Sequence, residues 1–194
     1  MAEPTVDRCA PRRLAYPDPP LRDGRVLLRP WRADDLPAIA RATRDPAIRR
    51  FSHLPEPFDI GAVRSRFQES PAQLAAGTAM RMLIVEPHDE SGLCGAIAIF
   101  DIDAHRRCGE IGYWLAAAAR GRGLASRAVG LMSGWALGEL GLERLLAIPD
   151  AENDASRQLL ERCGFRAGER RIESGRAVAP YEATRARPIR APAR

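Results

Sequence analysis

The stretch Arg120–Ser126, RGRGLAS, sets two glycines among arginines where a strand-like pattern gives way to a helical one. A strand entering a helix through a glycine turn leaves backbone N–H groups around a common centre, which suits an anion. A nucleotide loop of the form G-x-x-x-x-G-K-[ST] is excluded, because the chain contains no lysine. The dinucleotide fingerprint G-x-G-x-x-G fails at its third glycine, where Ser126 stands, and Asp150 lies too far along to serve as its acidic residue. A third reading is a diphosphate cradle of the kind coenzyme A needs, R-x-x-G-x-A, met by Arg120, Gly123 and Ala125. There the first helical turn supplies free N–H donors and about half a positive charge. The plain alternative is a turn whose glycines only relieve backbone angles.

Two further signals stand at fixed places after this turn: N-x-x-S at Asn153 and Ser156, and C-G-F at Cys163–Phe165 ahead of a strand. Taken in order and spacing, the segment Gly109–Phe165 resembles the GNAT acetyltransferases. The similarity is nearest to the branch that acetylates the N-termini of ribosomal proteins, and it extends more faintly back to LLRPWRADDL near Leu27. The resemblance implies an α/β (α+β) GNAT fold. Its mixed, mostly antiparallel sheet has about seven strands, flanked by about four helices. The fourth and fifth strands, expected at 109–115 and 143–149, should part at one end. Acetyl-CoA would lie in that gap, its pantetheine arm against the backbone of Trp114, Leu115 and Ala117. Its diphosphate would rest on Arg120, Gly121, Arg122, Gly123, Leu124, Ala125 and Ser126, with Asn153 near the thioester.

Acetyl transfer to an amine requires a base for the amine proton and a donor for the departing sulfur. Glu110, beside the expected gap in the context GEIGYW, is the candidate base; the alternative is a structural Glu–Arg pair. Asp101 and Asp103 are held in reserve. Many relatives carry a tyrosine acid where this chain has Leu160, so the donor stays open between Ser156 and no assigned residue. Ser156 also suits simple hydrogen bonding at a helix N-terminus. Tyr181 is placed too loosely to use, and Trp31 and Trp135 read as core. Glu56 and Asp59 would attract a cationic amine or stand as solvated loop charges. The expected partners are acetyl-CoA and a primary amine, either a protein N-terminus or a small molecule, with a second copy of the chain admitted. Rival readings are transfer of a larger acyl group such as succinyl, a non-catalytic acyl-CoA-binding module, and an arginine-rich nucleic-acid binder.

The elements that would hold these residues are legible from periodicity. A strand is expected over 24–31, then a helix capped by Asp34 with Leu36, Ile39 and Ala40 inward, and a second helix over 59–74. Strands over 79–87 and 92–103 flank the turn HDESG. A strand from about Cys108 puts Glu110, Gly112 and Trp114 on one face, with Ile111, Tyr113 and Leu115 on the other. Helices follow over 123–140 and 153–162, the latter stopped by Gly164, with a strand over 143–149 between them. Final strands are expected over 165–174 and 176–186. Residues 1–22 and 187–194, rich in Pro and Arg, read as loose tails around one domain over 23–186.

The 194 residues suffice for one packed core, and 28% charged with 45% hydrophobic residues is an ordinary balance. No apolar run approaches the ~20 residues of a membrane span. The first twenty residues lack a signal-peptide core, so a cytoplasmic location is expected. All 30 basic residues are arginine, which excludes Schiff-base lysine chemistry, and the net charge is +5. With only 6% aromatic residues, stacking platforms for nucleic acid are few. Cys9, Cys94, Cys108 and Cys163 with His53, His88 and His105 show no metal-ligand spacing, so no metal is expected.

Overall fold

Apart from Arg81, the strand β2 (Met80–Val85) is apolar without alternation, as a strand covered on both faces must be. It lies inside a seven-stranded sheet in the order β1-β2-β3-β4-β5-β9-β6. Here β1 is Leu27–Pro30, β3 Gly95–Asp103, β4 Cys108–Leu115, β5 Arg144–Ala147, β6 Arg166–Ala167 and β9 Tyr181–Thr184. The computed structural model describes residues 14–52 and 59–186. All ladders are antiparallel except β4 with β5.

Alternation along the strands divides the core in two. Leu28, Met82, Ile84, Ile97 and Ile111 point to one face, under α4 (Leu124–Gly138) and α5 (Asp154–Arg162). Leu27, Leu83, Val85 and Ala96 point to the other, under α1 (Leu36–Ala42) and α3 (Ile60–Ala75). Trp135 is buried in the first cluster, as its place on the apolar stripe predicts. The packed chain starts ahead of residue 23: Leu14 is buried, and Tyr16 and Leu21 pack against the same cluster. Residues 1–13, 53–58 and 187–194, and with them Cys9, His53 and Glu56, lie outside the described residues.

Three local expectations change. Asp35, not Asp34, is the carboxylate at the start of the first helical segment. It accepts from the Arg32 backbone N–H at 2.6 Å and forms a buried pair with Arg29 at 2.7 and 2.8 Å. Arg29 therefore faces inward, its remaining N–H groups on the Glu90 carbonyl and on Pro30. A short helix α2 (Pro46–Phe51) precedes α3, capped by Asp45 with Pro46 in its first turn. The two last stretches each break in half. Pro180 has no N–H to give to a ladder, and Gly168 instead donates to the Pro180 carbonyl. β7 (Arg171–Glu173) and β8 (Arg176–Val178) thus leave the main sheet as a separate hairpin around Ser174 and Gly175.

Candidate active site

The parallel ladder between β4 and β5 lasts only three residue pairs, Cys108 with Arg144, Gly109 with Leu145 and Glu110 with Leu146. Beyond Glu110, β4 runs on to Leu115 while still paired to β3 on its other edge. From Ile111 to Leu115 the edge facing β5 has no ladder partner among the described residues. The two strands have parted, and a cavity opens on each side of the gap.

The first cavity, about 460 Å³, lies on the α1/α3 side and is lined by Glu110, Asp101, Arg66, Arg81 and Trp31, among others. The second, about 580 Å³, reaches Arg120, Gly121, Gly123, Ala125 and Ser126. Phe51, Ser52, Tyr113, Trp114, Asn153 and Ser156 border both, so the cavities meet at the parting of the strands.

In the second cavity, Gly123 is the N-cap of α4 with φ +75°, and no side chain caps that end. Its first-turn N–H groups therefore lack intrahelical partners. Nothing lies within 4 Å of where a Cβ would stand on Gly121 or Gly123, so the positive φ, not crowding, requires glycine there, and the cradle is open. Trp114 and Leu115 also line this cavity. Of the other expected residues, Leu124 is fully buried and contributes only backbone. Ala117 sits in an exposed 3₁₀ turn off the cavity wall. Arg122 points to Glu86, both carboxylate oxygens 2.7 Å from one nitrogen. Arg120 borders the cavity, held by Asp45 at 2.8 Å and by the Leu115 carbonyl at 3.0 Å.

Glu110 is partly buried in the first cavity, and no described arginine lies within ion-pairing distance. Burial first, then the charges of Asp101 and Glu173, push its pKa up to about 7, with Arg171 offsetting a part. Of the reserve carboxylates, Asp101 lines the same cavity, whereas Asp103 turns away to bond the Arg106 N–H at 2.9 Å.

Asn153 caps α5, its side-chain oxygen accepting from the Ser156 N–H at 3.1 Å. Ser156 is thus free of capping duty, and its Oγ lies 2.8 Å from the Tyr113 hydroxyl. Burial raises the Tyr113 pKa well above its ordinary value, so this hydroxyl keeps its proton. Tyr113 joins the site without belonging to any of the motifs above. Its place on the strand face opposite Glu110, three residues on, was the available signal. Leu160 and Tyr181 are both buried, the Tyr181 hydroxyl donating to the exposed Glu161 at 2.8 Å, and neither lines either cavity. Trp31 packs on the second core cluster but also forms part of the first cavity's wall, a correction to its reading as core alone.

Residues 25–166 match the family model described as an acetyltransferase (GNAT) domain. The chain belongs to the GNAT acetyltransferase family. Within it, the Bacillus subtilis (strain 168) protein named "Putative ribosomal N-acetyltransferase YdaF" is 34% identical over 88 residues, 45% of either chain. The match thus spans about half the length of that relative. RimL, a ribosomal L7/L12 alpha-N-protein acetyltransferase solved with coenzyme A, superposes with TM-score 0.74 at 18% identity, over 84% of this chain and 95% of its own. The Vibrio cholerae spermidine N-acetyltransferase, solved with CoA and spermine, gives 0.74 at 17% identity, over 84% and 98%. At such identities these two show the fold: this GNAT acetyltransferase has the family's α+β sheet with its single parallel pair.

Proposed function

We propose that this enzyme moves an acetyl group from acetyl-CoA to a primary amine by direct attack, with no covalent enzyme intermediate. The observation that carries this reading is the meeting of two cavities at parted strands. One holds a carboxyl poised near neutrality; the other ends on an uncapped helix N-terminus. The diphosphate would lie on the N–H groups of Leu124, Ala125 and Ser126, approached closely because Gly121 and Gly123 have no side chain. The pantetheine arm would follow the unpaired edge of β4 past Leu115 and Trp114, taking hydrogen bonds that β5 no longer supplies. Asn153, bordering both cavities, would stand beside the thioester.

Glu110 acts as general base from the α1/α3 side. It takes the amine proton, directly or through one water, as the nitrogen attacks the carbonyl carbon. A β4 N–H at the gap donates to the thioester oxygen as charge builds on it. When the C–S bond breaks, the thiolate receives a proton from Ser156, which Tyr113 can replenish through their 2.8 Å contact. Base and acid thus work from opposite faces of the sheet, on opposite sides of the attacked carbon. The free thiols of Cys94, Cys108 and Cys163 accord with a reducing, cytoplasmic setting.

The test is release of free CoA thiol from acetyl-CoA across a panel of small amines and N-terminal peptides. Amine-dependent release with a matching acetylated product is expected. Binding of acetyl-CoA with no release across the panel would instead establish a non-catalytic binding module, and faster release from succinyl-CoA would establish the larger acyl donor.

A further inference from the structure

The first cavity is walled by rings. Trp31, Phe51, Phe100, Tyr113 and Trp114 line it, and each keeps part of its surface exposed. Among the described residues, the other partly exposed aromatic side chains are Tyr16 and Phe67, and neither borders either cavity. Core packing buries a ring outright, as it does for Trp135, Phe165 and Tyr181. In a chain with 6% aromatic residues, the rings that still have surface to offer are gathered where an acceptor would lie.

The register of the strands shapes the space between them. Glu110, Gly112 and Trp114 share one face of β4, opposite Phe100, Ala98 and Ala96 of β3. At ~3.4 Å per residue, Gly112 lies about 7 Å and Trp114 about 14 Å along the strand from Glu110. Gly112, Ala98 and Ala96 are small, so the sheet surface is low between the carboxyl and the indole. The Phe100 ring leans over Gly112, where a Cβ would stand only 3.0 Å from it. Glycine thus lets a flat ring lie against the strand beside Glu110. Phe51, at the end of α2, and Trp31, after β1, complete the wall. Arg81 stands opposite Ala98 on β2, bonded to the Gln73 side-chain carbonyl. Its guanidinium repels a second ammonium and offers a plane on which a ring can stack.

Resting on the transferase reading above, we infer that the acceptor is a small primary amine joined by a short spacer to an aromatic ring: the amine at Glu110, the ring over Ala98 among Phe100, Phe51 and Trp31. A cavity of about 460 Å³ suits an arylalkylamine beside the acetyl end of the donor. Offset and edge-to-face ring contacts favour an aromatic body over an aliphatic one of the same size.

Matched amines test this: 2-phenylethylamine against ethylamine, 2-cyclohexylethylamine, putrescine and a peptide with an N-terminal serine. Each is assayed for thiol release and for equilibrium binding to protein saturated with CoA. Burial of a phenyl group predicts a kcat/KM about 10–100-fold higher for 2-phenylethylamine than for ethylamine. Contacts between rings predict about 2–10-fold over the cyclohexyl analogue. Ala98→Leu fills the space between Arg81 and Gly112, and should bring the first ratio close to one while the acetyl-CoA thermal shift persists. Phe100→Leu should abolish the second ratio and keep most of the first. Equal or faster turnover of any other panel member, or a preference that survives Ala98→Leu, overturns the inference and leaves the transferase reading standing. Binding of 2-phenylethylamine that Ala98→Leu removes, with no turnover across the panel, sinks the transferase reading and supports this one. Neither turnover nor binding of any panel member overturns both.

Discussion

The two cavities that meet at the parted strands are built in different ways. The second centres on one contiguous stretch, from the end of β4 through the glycine turn to the uncapped start of α4, with α2 and α5 completing its wall. The first draws its charged side chains from α3, β2, β3 and β4, with Trp31 following β1. A backbone cradle serves one ligand and tolerates change in most side chains around it. A side-chain cavity can be re-lined residue by residue on the same scaffold. On the proposed reading the difference separates donor binding from acceptor choice, and substitutions in the two cavities should fail in different ways.

The largest effect is expected in the cradle. Gly123→Asp puts a side chain and a negative charge where the backbone turns with φ +75°. Acetyl-CoA should then no longer raise the melting temperature, and turnover should fall below detection at donor concentrations that saturate the wild type. Next comes Glu110→Gln, with a loss in kcat/KM of about 10²–10⁴-fold, the usual reach of general-base catalysis. Its thermal shift with acetyl-CoA should be unchanged. A cradle variant that still binds, or a Glu110 variant that does not, would break the separation between the two cavities.

Stability should carry a signature of the same carboxyl. Glu110 titrates at about 7 when folded, against 4.5 for an ordinary glutamate, so the folded state holds its proton more tightly than the unfolded state. Stability is then lost as pH rises from about 4.5 to about 7. Glu110→Gln should raise the melting temperature relative to wild type at pH 8 and much less at pH 4.5, read by scanning calorimetry.

Ser156→Ala and Tyr113→Phe sharpen the account of the leaving group. Each should lower kcat by about 10²-fold, the low end of the range for one proton-transfer partner. The double variant should be little worse than Ser156→Ala alone, because the two hydroxyls act as one relay. The smallest effect is expected at Asp45, which holds Arg120 at 2.8 Å. Asp45→Asn keeps an α2 cap and releases the guanidinium to the diphosphate, tightening acetyl-CoA by no more than about fivefold, the scale of one exposed ion pair.

Legibility in the sequence follows the same division. The glycine turn, Asn153 as a helix start and Gly164 as a stop are local devices, and each stands where its spacing places it. The parting of β4 and β5 was expected from resemblance and is present as a three-pair ladder. Arg66 and Arg81 gave no signal, since two arginines among thirty basic residues look like any others until β2 and α3 converge. Tyr113 was hidden because its partner Ser156 lies 43 residues away on another element. Arg29 gives no sequence signal of its burial, which arises because Asp35 and the Glu90 carbonyl meet it there. The final strands are shorter than expected because Pro180 interrupts the segment between Arg176–Val178 and Tyr181–Thr184.

The central claim is that acetyl transfer runs through the Glu110 carboxylate in the first cavity. It is tested most directly by the pH dependence of kcat/KM for wild type and Glu110→Gln, with an acceptor found in the thiol-release panel. On top of the rise from the amine's own titration, the wild-type profile should show an ascending limb that breaks at about 7, absent from the variant. A variant with full turnover and the same break would contradict the account.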